Sequence, residues 1–312
     1  MRSEERLAVP IQPLYDRLQG VHVLAITPMA SDRSIDFEGL EANLEHFLAR
    51  GADGVIVGGT YAEFPSLRRE ERIELFHAAA RAVVGRVPLI CCTASSSTLE
   101  AIELGQEAAA AGADGVMVTP PYVSEVRPSD VLHHFREVAR NSGLPILAYN
   151  SQSIGVGLSP EEIIDLAEID GIVGVKQGAL DPRSQVTTVA RAGDRLRIMC
   201  GSDGAILSAL AHGMAGVTTT LANFMIDEVL SVHRDAMAGD WDRARRTFYG
   251  WQELRDFAFT RGQPVVTKAA MDLIGLAAGP PRPPFRSLDR ADVHTLRDVL
   301  KKANLVQQRL AS

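Results

Sequence analysis

The stretch Gly171-Ile172-Val173-Gly174-Val175-Lys176 is an apolar run that ends in a lysine. Lysine is scarce in this chain. The others are Lys268, Lys301 and Lys302, all towards the C-terminus, and the remaining cationic positions are arginine. Arginine is always charged, whereas a lysine amine can lose its proton on burial and then attack a carbonyl carbon. On the residues alone two readings stand side by side: a nucleophilic amine, or a lysine that snorkels to water from a strand end. Hydroxyl and amide side chains gather after other apolar runs: Gly59-Thr60-Tyr61-Ala62-Glu63, Thr119-Pro120-Pro121-Tyr122, Tyr149-Asn150 and Gly201-Ser202-Asp203. Phenols and a threonine beside a lysine suit a hydroxyl relay that moves protons around an imine. Amphipathic packing of tyrosines is the alternative.

The elements that carry these groups follow a rhythm. Apolar runs at 21–27, 54–58, 88–93, 115–119, 145–150, 172–176, 196–200 and 216–220 read as strands. Between them, 36–50, 67–85, 98–111, 129–141, 159–169, 182–192 and 203–212 read as helices, the fifth opened by the cap-like Ser159-Pro160-Glu161-Glu162. The strands do not alternate apolar with polar, so both faces are buried, as in a parallel sheet under helices. Arg50-Gly-Ala-Asp-Gly-Val55 and Ala111-Gly-Ala-Asp-Gly-Val116 repeat one helix-to-strand turn. This predicts an α/β fold, a (β/α)8 TIM barrel over 21–224, after an N-terminal arm at 1–20. A doubly wound open sheet would want a Gly-rich phosphate turn after its first strand, and Thr27-Pro28-Met29 is not one. Beyond the barrel, 225–312 reads as a helical region, with helices at 227–238, 240–259, 264–274 and 288–303 and a stiff loop at 279–284. Barrel enzymes carry their chemistry at the C-terminal ends of the strands, where the candidate groups fall.

The composition narrows the function. The chain has 312 residues, 46% hydrophobic and 23% charged, with a net charge of -7 and a pI near 5.7. An acidic chain argues against nucleic acid and anionic membranes as partners. No apolar run reaches the roughly 18 residues of a membrane span, and the charged N-terminus has no signal-peptide core. Cys91 and Cys92 are adjacent on one strand and face opposite ways, and Cys200 has at most one partner, so a reduced, cytoplasmic protein is expected. His133-His134 is read as a surface pair, and no metal-ligand spacing occurs.

Together these motifs resemble the dihydrodipicolinate synthase and N-acetylneuraminate lyase family of class I aldolases and lyases. They are Gly59-Thr60-x-x-Glu63 with Leu67-x-x-Glu70-Glu71-Arg72, Thr119-Pro120-Pro121-Tyr122, Tyr149-Asn150, Gly174-Val175-Lys176, Gly201-Ser202-Asp203 and Gly279-Pro-x-Arg-Pro-Pro284, in that order, across roughly residues 20 to 305. The resemblance implies that Lys176 forms a Schiff base with pyruvate or another 2-keto acid. It implies that Tyr149 is the general acid/base, and that Thr60 and Tyr122 complete a hydroxyl relay, Tyr122 being offered across a dimer interface. Main-chain groups at Thr60 and Tyr61 would hold the keto-acid carboxylate, Gly201 and Thr218 would line the pocket, and Glu63 is read as a structural carboxylate behind the loop. A homotetramer (a dimer of dimers) is implied, with no metal or organic cofactor.

Two departures bear on the substrate. Tyr61-Ala62 stands where the family usually has a small hydroxyl residue and a glycine, which predicts a differently bent loop. Ser151-Gln152-Ser153-Ile154-Gly155 lacks the arginine that, in dihydrodipicolinate synthases, holds the carboxylate of the aldehyde substrate. Losing that charge-assisted contact removes roughly 1.5–3 kcal/mol of binding. The expectation is therefore a Schiff-base lyase, aldolase or dehydratase, acting on a sugar-acid-like substrate or an uncharged aldehyde. An authentic 4-hydroxy-tetrahydrodipicolinate (dihydrodipicolinate) synthase and a non-catalytic ligand-binding relative are the alternatives.

Overall fold

A computed structural model of the chain describes residues 12–151, 154, 156–178 and 181–305. Among these, eight parallel strands close into a barrel in chain order, the last pairing with the first. They are β1 (Gly20–Leu24), β2 (Gly54–Val57), β3 (Leu89–Cys92), β4 (Gly115–Val118), β5 (Ile146–Asn150), β6 (Ile172–Gln177), β7 (Arg197–Cys200) and β8 (Gly216–Thr219). Helix α1 (Gln12–Arg17) precedes β1. The outer ring is α2 (Phe37–Ala49), α3 (Arg69–Val83), α4 (Thr98–Ala111), α5 (Pro128–Asn141), α6 (Pro160–Leu166), α7 (Pro182–Ala192) and α8 (Ile206–Ala211). After β8 come α9 (Ala222–Met237), α10 (Trp241–Tyr249), α11 (Gln252–Arg261), α12 (Gln263–Leu273) and α13 (Arg290–Lys302). This is a TIM barrel with a C-terminal helical appendage. No described helix is long and apolar enough to cross a membrane.

Side-chain caps account for the starts of several helices. Ser159 caps α6: its Oγ accepts from the Glu162 N–H at 3.2 Å, while Glu162 Oε2 accepts from the Ser159 N–H at 2.8 Å. Asp36, Ser97 and Asp181 cap α2, α4 and α7 in the same sense. The single helix expected over 240–259 is two helices, α10 and α11, broken around Gly250 and Trp251. Trp251 is buried there, against Phe248. Burying that indole turns the chain, and helical periodicity on either side hides the turn.

Alternate residues of the strands serve two cores. Val55, Cys91, Val116 and Val175 face outward into the packing with the helices. Ile56, Cys92, Met117 and Leu147 fill the barrel interior. Cys91 and Cys92 thus face opposite ways as expected, and both are free thiols. Residues 12–18, within the stretch expected as an arm, close the barrel's N-terminal end; residues 1–11 lie outside the described residues. Leu14 and Leu18 are buried with the interior side chains. Arg197 clasps α1 from β7, its guanidinium 4.3 Å from the Tyr15 ring centroid and its Nε donating to the Tyr15 carbonyl at 3.2 Å. Gly174 admits the stopper, since a Cβ there would sit 2.5 Å from Leu18 Cδ2.

His134 corrects the expectation of a surface pair. His133 is exposed, but His134 is buried, its Nδ1 2.9 Å from Thr98 Oγ1 between α4 and α5. Helix neighbours point apart, so one of two adjacent histidines can face inward. Burial pulls the His134 pKa down to about 4, and that of His22, inside β1, also to about 4.

The appendage is joined to the barrel by a buried ion pair. Lys268 Nζ on α12 lies 2.7 Å from Glu63 Oε1, and both side chains are almost wholly inaccessible. Glu63 Oε2 also accepts from the Arg282 N–H at 2.7 Å, and the Arg282 guanidinium grips Glu71 with two bonds of 2.7 Å. Burial pulls the Lys268 ammonium below its ordinary value, and Glu63 opposes that shift.

Two outcomes follow for stability. Each histidine has a folded pKa below its unfolded one, so its contribution is present above pH 6.5 and fades as the pH falls towards about 4. By pH 5 each costs roughly 2 kcal/mol. Urea unfolding of the wild type at pH 7 and pH 5 should show a larger loss than His134→Gln shows. Separately, Lys268→Met leaves Glu63 buried without its cation and should cost about 3–5 kcal/mol. The double variant Lys268→Met/Glu63→Gln should regain part of that loss, and additive losses in the cycle would contradict the pairing.

Candidate active site

Lys176 and Tyr149 meet because of one irregularity. On β6, Ile172 pairs with Ile146 but Gly174 pairs with Leu147, so Val173 is an extra residue. In a regular strand Ile172, Gly174 and Lys176 would share a face. The bulge lets Ile172 pack outward under the helices while Val173 and Lys176 turn into the barrel. Lys176 then pairs in register with Tyr149. Its amine rests over the phenol ring, Nζ 3.6 Å from the centroid, and the residue is only 3% exposed. Gly201, at the end of β7, leaves room for the lysine stem: a Cβ there would lie 2.9 Å from Lys176 Cγ.

Two spaces adjoin this pair. A small recess on the barrel axis is lined by Ile56, Met117 and the Gly59–Ala62 turn. A cavity of about 780 Å³ opens above, between the strand ends and the appendage. Lys176, Tyr149, Tyr61 and Leu24 border both. Thr60 opens a short 3-10 turn (Thr60–Ala62) whose first N–H groups have no partner within the turn. The left-handed residue of this loop is Glu63, at φ 64°, and Ala62 is not among the positive-φ positions. The alanine therefore sits without backbone strain, its carbonyl accepting from Thr27 Oγ1 at 2.8 Å.

The electrostatics single out Tyr149. Burial pushes its pKa up, but the Lys176 charge and the polar side chains of Thr60, Lys176 and Ser151 around it outweigh burial, and the phenol lies below its ordinary value. Tyr61 goes the other way, pushed up to about 12 by burial and by the neighbouring Tyr149 and Asp203. Of two phenols in one cavity, Tyr149 is suited to exchanging protons and Tyr61 to donating a hydrogen bond.

The other expected residues divide. Gly201 and Thr218 line the cavity, Thr218 Oγ1 donating to the Cys200 carbonyl at 3.0 Å. Tyr122 does not line it in its own chain. It is 38% exposed, and the charges that act on it are Arg72 and Glu100. Asn150 pins the following loop, its amide joining both the Leu158 N–H and carbonyl and Gln177 Oε1. Of that loop, Gln152, Ser153 and Gly155 lie outside the described residues.

Sequence reasoning assigned nothing to Asp203, Arg255 or Gln263, all of which line the cavity. Asp203 accepts from Thr219 Oγ1 at 2.5 Å and from the Gln263 amide, and burial raises its pKa. The Gly201-Ser202-Asp203 strand end pointed at Asp203. Nothing in the local pattern of α11 and α12 sets Arg255 or Gln263 apart from surface residues.

A family model for the dihydrodipicolinate synthetase family matches residues 17–303. A 4-hydroxy-tetrahydrodipicolinate synthase of Methanoculleus marisnigri is 34% identical over 290 residues, covering 90% of this chain and 98% of that protein. One from Methanococcoides burtonii is 34% identical over 292 residues, covering 93% and 99%. The crystal structure of dihydrodipicolinate synthase from Aquifex aeolicus matches with a TM-score of 0.88 at 32% identity, covering 92% of this chain and 98% of that one. With its barrel and appendage matched nearly end to end, the chain belongs to the dihydrodipicolinate synthetase family.

Proposed function

We propose that Lys176 is the nucleophile of the Schiff-base lyase that this chain is. Its amine adds to the keto carbon of pyruvate or a related 2-keto acid, water leaves, and a protonated imine forms. That imine is an electron sink: it stabilises the carbanion equivalent at the neighbouring carbon. The carbon can then lose a proton, add to an aldehyde or release one, or expel a hydroxyl. The observation that carries this reading is the buried Lys176 amine 3.6 Å from the ring of a phenol with a lowered pKa, at the border of recess and cavity.

Tyr149 serves as general acid/base to the imine, the nucleophilic carbon and the leaving oxygen, and Thr60 hands protons to it. The Thr60 and Tyr61 main chain would hold the keto-acid carboxylate in the recess, a use that the open N–H groups of the turn support. The cavity, with Gly201 and Thr218 in its wall, takes the electrophile. Tyr122, half-exposed and away from its own chain's cavity, completes the relay of a second copy, and the working form is a cytoplasmic homotetramer built as a dimer of dimers.

A second reading rests on the relatives' names: condensation of pyruvate with aspartate semialdehyde, as in 4-hydroxy-tetrahydrodipicolinate synthase. A direct assay with those two compounds separates it from a lyase acting on other electrophiles.

Pyruvate with borohydride should leave one reduced adduct on Lys176 by peptide mass spectrometry, and Lys176→Ala should lose both adduct and turnover while keeping its unfolding midpoint. An adduct elsewhere, or none, would sink the reading. Tyr149→Phe should lower kcat by about a hundredfold or more while still trapping pyruvate slowly.

A further inference from the structure

Resting on the Schiff-base reading, the geometry points to Arg255 as the residue that selects a second substrate group, a carboxylate at the end of the substrate far from the reacting carbonyl. The sequence holds neither arginine nor lysine from Asn150 to Val175, so the loop after β5 offers no cation to an acid. Among the described residues lining the 780 Å³ cavity, the basic side chains are Lys176 and Arg255. They come from opposite sides, one from the barrel strands and one from helix α11 of the appendage. A substrate whose keto carbon engages Lys176 therefore meets Arg255 with its other end.

The guanidinium is braced for this task by neutral partners. It stacks on Phe248, 3.8 Å from the ring centroid, and donates to the Phe248 carbonyl at 2.9 Å and to Gln252 Oε1 at 2.6 Å. Two of its five N–H donors are thus used, and the fork that suits a carboxylate is held in place. The nearby acids are engaged elsewhere. Asp203 is held by Thr219, Thr220 and Gln263, and Asp256 accepts from the Gln252 amide at 2.7 Å. Among the described residues Arg255 has no ion-pair partner, unlike the many surface arginines that do. Burial depresses its pKa, as for a cation without a close anion, and Asp203 and Asp256 oppose that only through space. A half-buried guanidinium without a counter-ion, facing a cavity, is complementary to an anionic ligand. This supports an electrophile that ends in a carboxylate, against the uncharged aldehyde that the loop after β5 suggested.

The test is calorimetric binding of paired 2-keto acids with and without a terminal carboxylate: 2-oxoglutarate, 2-oxoadipate and 2-oxopimelate against 2-oxopentanoate, 2-oxohexanoate and 2-oxoheptanoate. At least one acid-ended member should bind the wild type roughly tenfold or more tightly than its methyl-ended partner. Arg255→Gln should shrink that ratio to about twofold while pyruvate is still trapped at Lys176 by borohydride, and Arg255→Lys should recover part of it. Equal binding of both series by the wild type overturns the proposal without needing any variant. So does a loss in Arg255→Gln that is as large for pyruvate as for the acid-ended compounds. Binding needs no imine, so failure of borohydride trapping would count against the Schiff-base reading, while the calorimetric ratio would still decide the role of Arg255.

Discussion

One extra residue in β6 decides where the only strand-borne lysine points. Parallel barrel strands present alternate side chains to two different cores, and a lysine on the outward face would have to break the helix packing to reach water. Val173 resolves the conflict. Ile172 keeps its outward place, and four residues later the amine is inside, in register with Tyr149. The lowered pKa of Tyr149, the clearance at Gly201 and the position of the cavity all presuppose that turn of the strand.

A second constraint holds the wall opposite. The turn that carries Thr60 and Tyr61 ends in Glu63, whose carboxylate is buried against Lys268 and the Arg282 N–H. Removing either charge alone would strand the other in a dry setting, which is far costlier than the pair's own modest net worth. The appendage is therefore part of the site's framework. Its helix α12 holds the recess turn from behind, and α11 with the end of α10 forms the outer wall of the cavity.

How far this was readable from the sequence depended on range. The barrel was legible because strands buried on both faces and amphipathic helices alternate within short windows. Lys176 stood out as a candidate because its residue type departs from the chain's habit of using arginine. Lys268 breaks that habit too and is equally buried, yet its purpose is structural; nothing nearby in sequence distinguishes the two. Its partner lies on another element altogether, as does that of Arg282, which meets Glu63 across 219 positions. Pairings at that distance leave no periodicity. The break between α10 and α11 was hidden by a helical pattern on both sides, and His134 by a neighbour that does face water.

The stopper at the barrel's base has a bearing on product release. Among the described residues, Leu14 and Leu18 pack apolar side chains into the N-terminal end of the barrel, and the cavity reaches Lys176 from the opposite end. A covalent adduct on Lys176 would be shielded from hydrolysis for as long as its partner fills the upper chamber. Departure of that partner would admit the water that frees the lysine.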